Sequence, residues 1–447
     1  MSAHQELPVA VIGAGPVGLS AAVQLLERGL DVVVLEAGAQ VGASVRDWGH
    51  VRLFSPWRYD VDKTAVRLLE REGWSSPPPD ELPTGEELYR QYLRPLASLK
   101  GLRDRIRTGR RVQSITRLHV DKTQTAGRQN VPFVVRASTL GGATEELVAR
   151  AVIDASGTWW RPNPLGAAGV PALGEESPAV AARIHYGIPD VLGAHRERYA
   201  GKTTLVVGAG HSAANSILAL AELSRSSPGT AIHWATRSAN LTRVFGGGDA
   251  DGLPARGKLG LELRALANAG ALTMIQRLQI GAVREVTGKL EVSGLRAGEP
   301  FTLAGLDGIV VATGQRPDLA PTRELRLSLD PALECVAALG PLIDPNEHSC
   351  GTVRPHGARE LAHPEPGFYV IGSKSYGRAP TFLLATGYEQ ARSVAAMLAG
   401  DVEAAARVEL DLPETGVCTS RGVTGDSAGA CCGPASEPSA KRQSACC

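Results

Sequence analysis

The residues best suited to chemistry in this chain are paired cysteines near its end. Four of the seven cysteines form two adjacent pairs, Cys431–Cys432 and Cys446–Cys447, in a segment of Gly, Ser, Thr, Pro and Ala that begins at about Asp411. An odd count with adjacent pairs is unlike a structural disulfide framework, so we expect free thiols in a reducing compartment. Thiolates are soft ligands, so paired cysteines suit the binding of soft metal or metalloid ions.

A second group of chemistry-bearing residues is the glycine-rich turn in VAVIGAGPVGLSAAVQLLERGLDVVVLEAG, where Gly13, Gly15 and Gly18 form GxGxxG, with Pro16 inside the motif. A buried strand precedes the turn, a helix follows it, and the next strand ends on Glu36. This context predicts a dinucleotide site, with the diphosphate at the helix N-terminus and the carboxylate on ribose hydroxyls. We interpret it as the FAD site.

The second glycine turn, in KTTLVVGAGHSAANSILALAEL, has the same order of strand, turn and helix, and its residues are Gly208, Gly210, His211, Ser212 and Ala213. No acid ends its next strand, AIHWATRS, which finishes at Arg237. A cation at this place suits the 2′-phosphate of NADPH, which a carboxylate would repel. A solvated surface arginine is the alternative interpretation of Arg237.

Two similar passages of sequence must position these turns. Each begins with a strand, a glycine turn and a helix. The first passage continues into alternating stretches that predict antiparallel strands, RVQSITRLHV, VPFVVRAS and ELVARAVIDASG, and the second continues into further short strands. The chain therefore carries an internal duplication. The spacing of Thr84 and Glu87 predicts a capping box at a helix start. Glycines interrupt the apolar run at the N-terminus, which argues against a signal peptide or membrane span, and we expect a cytoplasmic protein.

The overall charge excludes some partners. Basic and acidic residues nearly balance, at a formal net charge of +1, and they are interleaved along the chain. Nothing electrostatic therefore favours nucleic acid or an anionic membrane surface as a partner. No metal site is expected, and the sequence leaves a monomer and a homodimer both open.

Three further segments complete a resemblance: VIDASGT, IVVATGQRP and PEPGFYVIGSKS. With the two glycine turns, they resemble the flavoproteins with two dinucleotide-binding domains, which include thioredoxin-reductase-like and glutathione-reductase-like enzymes and the class B flavin monooxygenases. The resemblance implies an α/β fold with two Rossmann-like domains, in which an NADPH domain is inserted into a discontinuous FAD domain. The implied ranges are 1–165 and 305–410 for FAD, 166–304 for NADPH, and 411–447 for a disordered Cys-rich tail.

The resemblance also implies flavin-side residues, namely Arg46 and Trp48 in VGASVRDWGH, Gly157, Gly314, Gly372 and Thr381. Ser373 stands where the family usually has an Asp that contacts the flavin side chain. A helix beginning near Thr381 either points its N-terminus at the flavin or is an ordinary packing helix.

The positions of the cysteines discriminate between branches of the family that the chain resembles. The disulfide reductases need a cysteine pair in VGASVRDWGH or in GHSAANS, and neither segment contains a cysteine. The monooxygenases need no such pair: NADPH reduces FAD, O2 adds at the flavin C4a atom, and the hydroperoxide oxidises a nucleophile. Their Phe-x-Gly fingerprint before the second turn is missing although His185 is present, which indicates a divergent member.

The tail suggests a substrate for such an enzyme. The chain resembles the flavoprotein monooxygenases of arsenic-resistance operons, which implies oxidation of trivalent arsenicals that the paired cysteines would present to the flavin. Cys350 is a candidate acceptor thiol, or a buried small side chain. Three alternatives stay open: monooxygenation of a small organic amine, sulfide or ketone, a metalloid-binding or reductase-like flavoprotein, and a tail that only scavenges metals.

Overall fold

The structure is a computed structural model that describes residues 6–246, 248, 251–347, 353, 355–380 and 382–410. Its strands, in chain order, are β1 (Val9–Ile12), β2 (Val32–Leu35), β3 (Ile106–Arg107), β4 (Arg110–Arg117), β5 (Phe133–Thr139), β6 (Thr144–Ala149), β7 (Ala151–Asp154), β8 (Ile184–Tyr186), β9 (Thr203–Val207), β10 (Ala231–Ala235), β11 (Thr273–Ile275), β12 (Leu278–Val286), β13 (Lys289–Arg296), β14 (Glu299–Leu306), β15 (Gly308–Val311) and β16 (Phe368–Val370).

Helices connect and cover these strands. In chain order they are α1 (Pro16–Glu27), α2 (Ala43–Asp47), α3 (Trp57–Asp60), α4 (Lys63–Arg71), α5 (Gly85–Leu88), α6 (Arg94–Ala97), α7 (Pro178–Ala181), α8 (Arg196–Tyr199), α9 (His211–Ser226), α10 (Thr242–Phe245), α11 (Pro254–Asn268), α12 (Gly340–Ile343), α13 (Leu384–Leu398) and α14 (Val402–Ala406). The predicted capping box is confirmed at the start of α5, where Thr84 and Glu87 each accept from the other's backbone N–H.

The first sheet is fully parallel, in the order β16-β7-β1-β2-β3. Every residue of β1, β2 and β7 is buried, as expected for strands with both faces covered. In this sheet Ile12 pairs with Leu35 and with Asp154, and Val370 also pairs with Asp154. The carboxyl ends of four strands therefore meet at one edge of the sheet, where ligands of such folds bind.

The second sheet is also fully parallel, in the order β11-β10-β9-β15-β8. The strand β15 pairs along β9, from Gly308 with Thr204 to Val311 with Val207. The boundary expected at residue 304 is therefore too early, because it would separate β15 from the sheet to which it belongs. Both sheets together confirm an α/β fold with two parallel, Rossmann-like sheets.

Two antiparallel sheets accompany the parallel ones. The first lies where the alternating sequence predicts antiparallel strands, and the second lies where further short strands are predicted. One consists of β4-β5-β6 and the other of β12-β13-β14. The predicted stretch ELVARAVIDASG divides at Arg150, because β6 pairs antiparallel with β5 while β7 joins the first sheet in parallel.

Two long helices, α1 and α13, pack on each other beside the first sheet, and the first glycine turn leads into α1. The helix α1 lies against α13, where Gly387 brings the backbone of α13 close to the side chain of Val17. The side chains of α1 and α13 form one core with β1 and β2. In the part of the chain that the structure describes, no helix is both long and apolar enough to cross a membrane.

Candidate active site

The first glycine turn lies between β1 and α1, and two of its glycines are required by close packing. Gly13 has a φ of +96°, and a Cβ there would lie 2.7 Å from the carbonyl oxygen of Ala155. A Cβ at Gly18 would overlap the carbonyl oxygen of Gly13. Gly15 differs, because a Cβ there would meet no atom within 4 Å. The turn is thus packed on its inner side and open at Gly15.

The N-terminus of α1 opens at the same place. Gly15 is the N-cap, and because it has no side chain it leaves the helix end uncapped. Pro16 occupies the first turn of the helix. The first N–H groups of a helix have no partner within it, and the helix dipole is positive at this end. This end of α1 therefore suits a diphosphate group that approaches over Gly15.

Glu36 supports the turn from the end of β2. Its carboxylate is buried and accepts hydrogen bonds from the backbone N–H of Ala14 and of Gly38, each at 2.7 Å. Burial raises the pKa of Glu36, and the two backbone bonds counteract part of that rise. A carboxylate has about four acceptor sites, so Glu36 retains acceptor capacity for ribose hydroxyls.

Two further predicted glycines lie at the same edge of the first sheet. Gly157 has a φ of +71°, and a Cβ there would be 3.6 Å from the hydroxyl of Ser373. Gly372 has a φ of +73°, and its N–H donates to the side-chain oxygen of Gln390 in α13 at 2.7 Å. The structure therefore brings Gly157 and Gly372 to the first turn, with Gln390 as a support that sequence reasoning missed.

A buried ion pair at this edge was also missed. The ammonium of Lys374 donates to the carboxylate of Asp154 at 2.7 Å and lies 3.1 Å from the hydroxyl of Ser156. Both charged side chains are almost fully buried. The pair links the segment after β16 to the end of β7. Lys374 directly follows Ser373, the position where the family that the chain resembles usually carries an acid.

Two other predicted flavin-side residues, Arg46 and Trp48, make contacts within the protein. Arg46, in α2, donates to the side chain of Gln40 at 2.8 Å and lies over the ring of Tyr89. Trp48, at the end of α2, packs its ring on Gly85, where a Cβ would lie 2.6 Å from the indole. Neither contact requires a flavin.

The remaining predicted site residues are Gly314, which the structure describes, and a group that lies outside the described residues. Gly314 accepts a backbone hydrogen bond from Asn163 at 2.9 Å, so it is held by the segment that crosses between the two parallel sheets. Thr381, Cys350 and the paired cysteines Cys431, Cys432, Cys446 and Cys447 lie outside the described residues.

The second glycine turn, between β9 and α9, repeats the geometry of the first. Gly208 has a φ of +138°, and a Cβ there would overlap the carbonyl oxygen of Ala312. Gly210 is the N-cap of α9, and a Cβ there would meet no atom within 4 Å. Ala213, in the third position of the motif, is fully buried against the sheet. This turn is likewise packed inside and open at its middle glycine.

His211 and Ser212 begin α9 beside Gly210. Burial, together with the nearby Arg256, lowers the pKa of His211 to about 4, so its imidazole is neutral at physiological pH. The ring of His211 contacts the ring of Phe54, with centroids 5.0 Å apart. Phe54 follows α2 on the side of the first sheet, so this contact joins the two glycine-turn regions. No sequence signal pointed to it.

Arg237 is an exposed side chain two residues beyond β10. Among the described residues, its guanidinium makes one hydrogen bond, at 3.3 Å, to the carbonyl oxygen of Ala167. An arginine has five N–H donors, so further donors are available for a phosphate at the end of this strand.

One cysteine, Cys335, lies among the described residues, and it is a buried free thiol. Burial raises the pKa of Cys335 to about 12, so it carries no thiolate at neutral pH and is a poor nucleophile. Its side chain belongs to the core around α1 and α13. Among the described residues, no group of His, Cys, Asp and Glu is arranged to hold a metal ion.

The two turns fit the two dinucleotides expected from the sequence. At each turn, the glycines that touch backbone leave no room for a side chain, while the middle glycine faces open space at a helix N-terminus. The acid is present beside the first turn and the exposed arginine beside the second. This donor and acceptor set suits FAD at the first turn and NADPH at the second.

Solved structures share this architecture. A bacillithiol disulfide reductase from Bacillus cereus aligns with a TM-score of 0.63 and 18% identity over 88% of this chain and 99% of that chain. A cadaverine monooxygenase of desferrioxamine biosynthesis from Erwinia amylovora aligns with a TM-score of 0.59 and 14% identity over 95% and 99%. A thioredoxin reductase from Lactococcus lactis aligns with a TM-score of 0.55 and 17% identity over 89% and 98%. At identities this low, the structural similarity establishes the fold alone.

Sequence comparison adds the family. Among proteins of curated function, none matches this chain by sequence. The family model described as pyridine nucleotide-disulphide oxidoreductase matches residues 10–332, which include both glycine turns and most of both parallel sheets. The chain therefore belongs to the pyridine nucleotide-disulphide oxidoreductase family, and it is an oxidoreductase whose cofactors are FAD and NADPH.

Proposed function

We propose that this protein is an FAD- and NADPH-dependent monooxygenase that oxidises trivalent arsenicals to pentavalent forms. The observation that carries the monooxygenase assignment is the presence of two complete glycine turns together with the lack of cysteines in the two segments where a disulfide reductase carries its redox pair. The segments of α2 and α9, where a disulfide reductase would carry its redox cysteines, contain none. Cys335, near the first sheet, is a buried neutral thiol. Electrons therefore have no cysteine relay at these two places.

The residues of the chain bind and orient the cofactors. The open helix ends at Gly15 and Gly210 hold the two diphosphates, Glu36 accepts from the ribose of FAD, and Arg237 donates to the 2′-phosphate of NADPH. Bound FAD supplies hydride acceptance from NADPH and transfer of one oxygen atom from O2. The buried Lys374–Asp154 pair fixes the sheet edge beside Gly157 and Gly372.

The substrate assignment depends on the paired cysteines of the sequence. Trivalent arsenic binds thiolates, and its lone pair can accept an oxygen atom. In the balanced reaction, arsenic(III) loses two electrons and gains one oxygen atom of O2. NADPH supplies a hydride and becomes NADP+, and the second oxygen atom leaves as water with that hydrogen and a proton from solvent. The paired cysteines would hold the arsenical close to the enzyme and raise its effective concentration.

Oxygen uptake with a panel of substrates tests the proposal. We expect arsenite or methylarsenite to accelerate NADPH and O2 consumption in equal amounts, with a pentavalent product. Acceleration by an amine that equals or exceeds that by arsenicals would point instead to an N-hydroxylase, a function that the similarity in fold to the cadaverine monooxygenase favours. Undiminished turnover of a low-molecular-weight disulfide without oxygen would point to a reductase.

Replacing the paired cysteines tests the role of the tail. A variant with Cys431, Cys432, Cys446 and Cys447 changed to Ser should raise the KM for the arsenical while NADPH still reduces FAD at the wild-type rate. Cys418→Ser is the matched control, because it makes the same chemical change at an unpaired cysteine nearby in the sequence. Equal KM values for all three proteins would contradict substrate capture by the pairs.

A further inference from the structure

Phe54 lies on a loop that is firmly held on the side of the first sheet. The backbone N–H of Leu53 donates to the carbonyl oxygen of Pro83 at 2.8 Å. The hydroxyl of Ser55 donates to the buried carboxylate of Asp60 at 2.7 Å. Trp57, three residues after Phe54, is buried in the core around α1 and α13. The backbone on both sides of Phe54 is therefore fixed.

The ring of Phe54 points away from this anchor to the second glycine turn. Its centroid is 5.0 Å from that of His211, the first residue of α9, with the rings inclined at 49°. The guanidinium carbon of Arg256, in α11, lies 6.0 Å from the same ring. Arg256 is itself fixed by two hydrogen bonds to the buried carboxylate of Asp251, at 2.8 and 2.6 Å. Phe54 therefore contacts an arginine that is fixed by hydrogen bonds, as its own loop is.

We propose that Phe54 is a positioning residue that, together with His211, guides the nicotinamide ring from the second glycine turn towards the first sheet. The inference rests on the proposed assignment of NADPH to the second turn and FAD to the first. A hydride can pass only if the nicotinamide of a nucleotide bound at Gly210 reaches a ring system held by the other sheet. The Phe54–His211 contact is where the loop 51–56 meets the beginning of α9.

The chemistry of the two rings suits this role. Planar aromatic rings are attracted to each other in stacked and edge-to-face arrangements, with centroids about 4.5–7 Å apart. The imidazole of His211 is neutral, so it does not repel the positively charged nicotinamide of NADP+. Phe54 offers an apolar face that excludes water from the path of the hydride. Phe54 has no hydrogen-bonding group, so a nicotinamide ring that packs against it breaks no hydrogen bond of this side chain.

Replacing the ring while keeping its apolar volume tests the proposal. In anaerobic rapid mixing, Phe54→Leu should slow NADPH reduction of bound FAD at saturating NADPH by about tenfold or more, because misplacement of about 1 Å is costly in hydride transfer. The charge-transfer absorbance of reduced FAD with NADP+ should weaken in this variant. Reduction of its FAD by dithionite should be unchanged, and Phe54→Tyr, which keeps the ring, should restore both signals.

A matched control separates positioning from packing. Phe301→Leu makes the same change in another half-buried phenylalanine that also lies beside an arginine, Arg296, in the antiparallel sheet β12-β13-β14. It should leave the reduction rate and the charge-transfer absorbance at wild-type values. If Phe54→Leu fails to fold, Phe54→Met takes its place in the same measurements.

The outcomes distinguish this inference from the proposed function. A wild-type rate and charge-transfer signal in Phe54→Leu would overturn the role of Phe54 and leave the cofactor assignment intact. Equal slowing in Phe54→Tyr would also overturn it, because the ring would then be irrelevant. Failure of NADPH to reduce the wild-type flavin at all would overturn both the inference and the proposed function.

Discussion

The carboxylate of Glu36 accepts a 2.7 Å hydrogen bond from the backbone N–H of Ala14, so the acid at the end of β2 braces the first glycine turn itself. Its other oxygen accepts from Gly38 at the same distance. The acid predicted as a ribose ligand therefore also shapes the loop on which the dinucleotide would rest. Loss of the carboxylate should affect the turn as well as the ribose contact.

Glu36→Gln is expected to weaken FAD binding by about tenfold or more. A glutamine has one acceptor oxygen, so one of the two backbone N–H groups would face an amide NH2 and stay unpaired, which costs about 1–3 kcal/mol. Titration of the apoprotein with FAD, followed by flavin fluorescence, measures the loss. Glu145→Gln, which neutralises a half-exposed acid paired with Arg110, is the control and should bind FAD normally.

Gly15→Ala and Gly18→Ala are expected to separate an effect on FAD binding from an effect on folding. A Cβ at Gly15 meets no atom, and the backbone there is extended, so the variant should keep the wild-type free energy of unfolding but lose FAD. A Cβ at Gly18 overlaps the backbone of Gly13, so that variant should be destabilised by about 3 kcal/mol or more. Urea unfolding and flavin content measure the two effects. Full flavin content in Gly15→Ala would show that no diphosphate lies over this residue.

Arg237→Gln is expected to raise the KM for NADPH roughly 10- to 100-fold, because a hydrogen bond to a charged group contributes about 1.5–3 kcal/mol. The KM for NADH should change little, since NADH has no 2′-phosphate. Steady-state kinetics with both nucleotides measures the ratio. Arg284→Gln, at an exposed arginine paired with Glu291, is the control. A parallel rise for both nucleotides would refute a 2′-phosphate contact.

Asp60 is expected to make stability fall as pH rises. Its carboxyl group is fully buried, one oxygen accepts from Ser55, and the other has no hydrogen-bond partner among the described residues. Burial raises the pKa of Asp60 to about 7 from an ordinary 3.8. The unfolded chain therefore releases this proton near pH 4 while the folded chain keeps it until about pH 7. Between these values the free energy of unfolding should decrease, by up to about 4 kcal/mol.

Asp60→Asn tests whether this carboxyl group causes the decrease in the free energy of unfolding with rising pH. The variant cannot ionise, so its free energy of unfolding should show less decrease than that of the wild type between pH 5 and 8, as measured by urea unfolding. Asp104→Asn, at an exposed acid on the surface, serves as the control for general charge effects. A wild-type decrease that persists unchanged in Asp60→Asn would exclude this carboxyl group as its cause.

The sequence was sufficient to predict both glycine turns and the elements on either side of them. Gly13, Gly18 and Gly208 are needed because backbone from a neighbouring strand or turn lies against them. These requirements fall within a few consecutive residues, so they produce a sequence motif that can be recognised. The capping box at Thr84 is local in the same sense, and it too is confirmed.

Contacts between distant segments could not be predicted in this way. Phe54 and His211 are separated by more than 150 residues, and neither has a neighbour in sequence that signals the other. The pair Lys374–Asp154 spans 220 positions. The boundary at residue 304 failed for a related reason, because the buried run GIVV of β15 would fit either parallel sheet equally well. Only the three-dimensional pairing decides such cases.

The late position of β16 has a consequence for biosynthesis. All five strands of the second sheet lie between residues 184 and 311, whereas the first sheet takes its edge strand from Phe368–Val370. On an emerging polypeptide the nucleotide turn at Gly208 can thus be assembled while the sheet that began at the N-terminus still lacks its last strand. A ribosome must synthesise the chain through Val370 before the first sheet, and with it the proposed flavin site, is complete, so we expect the holoenzyme to mature late.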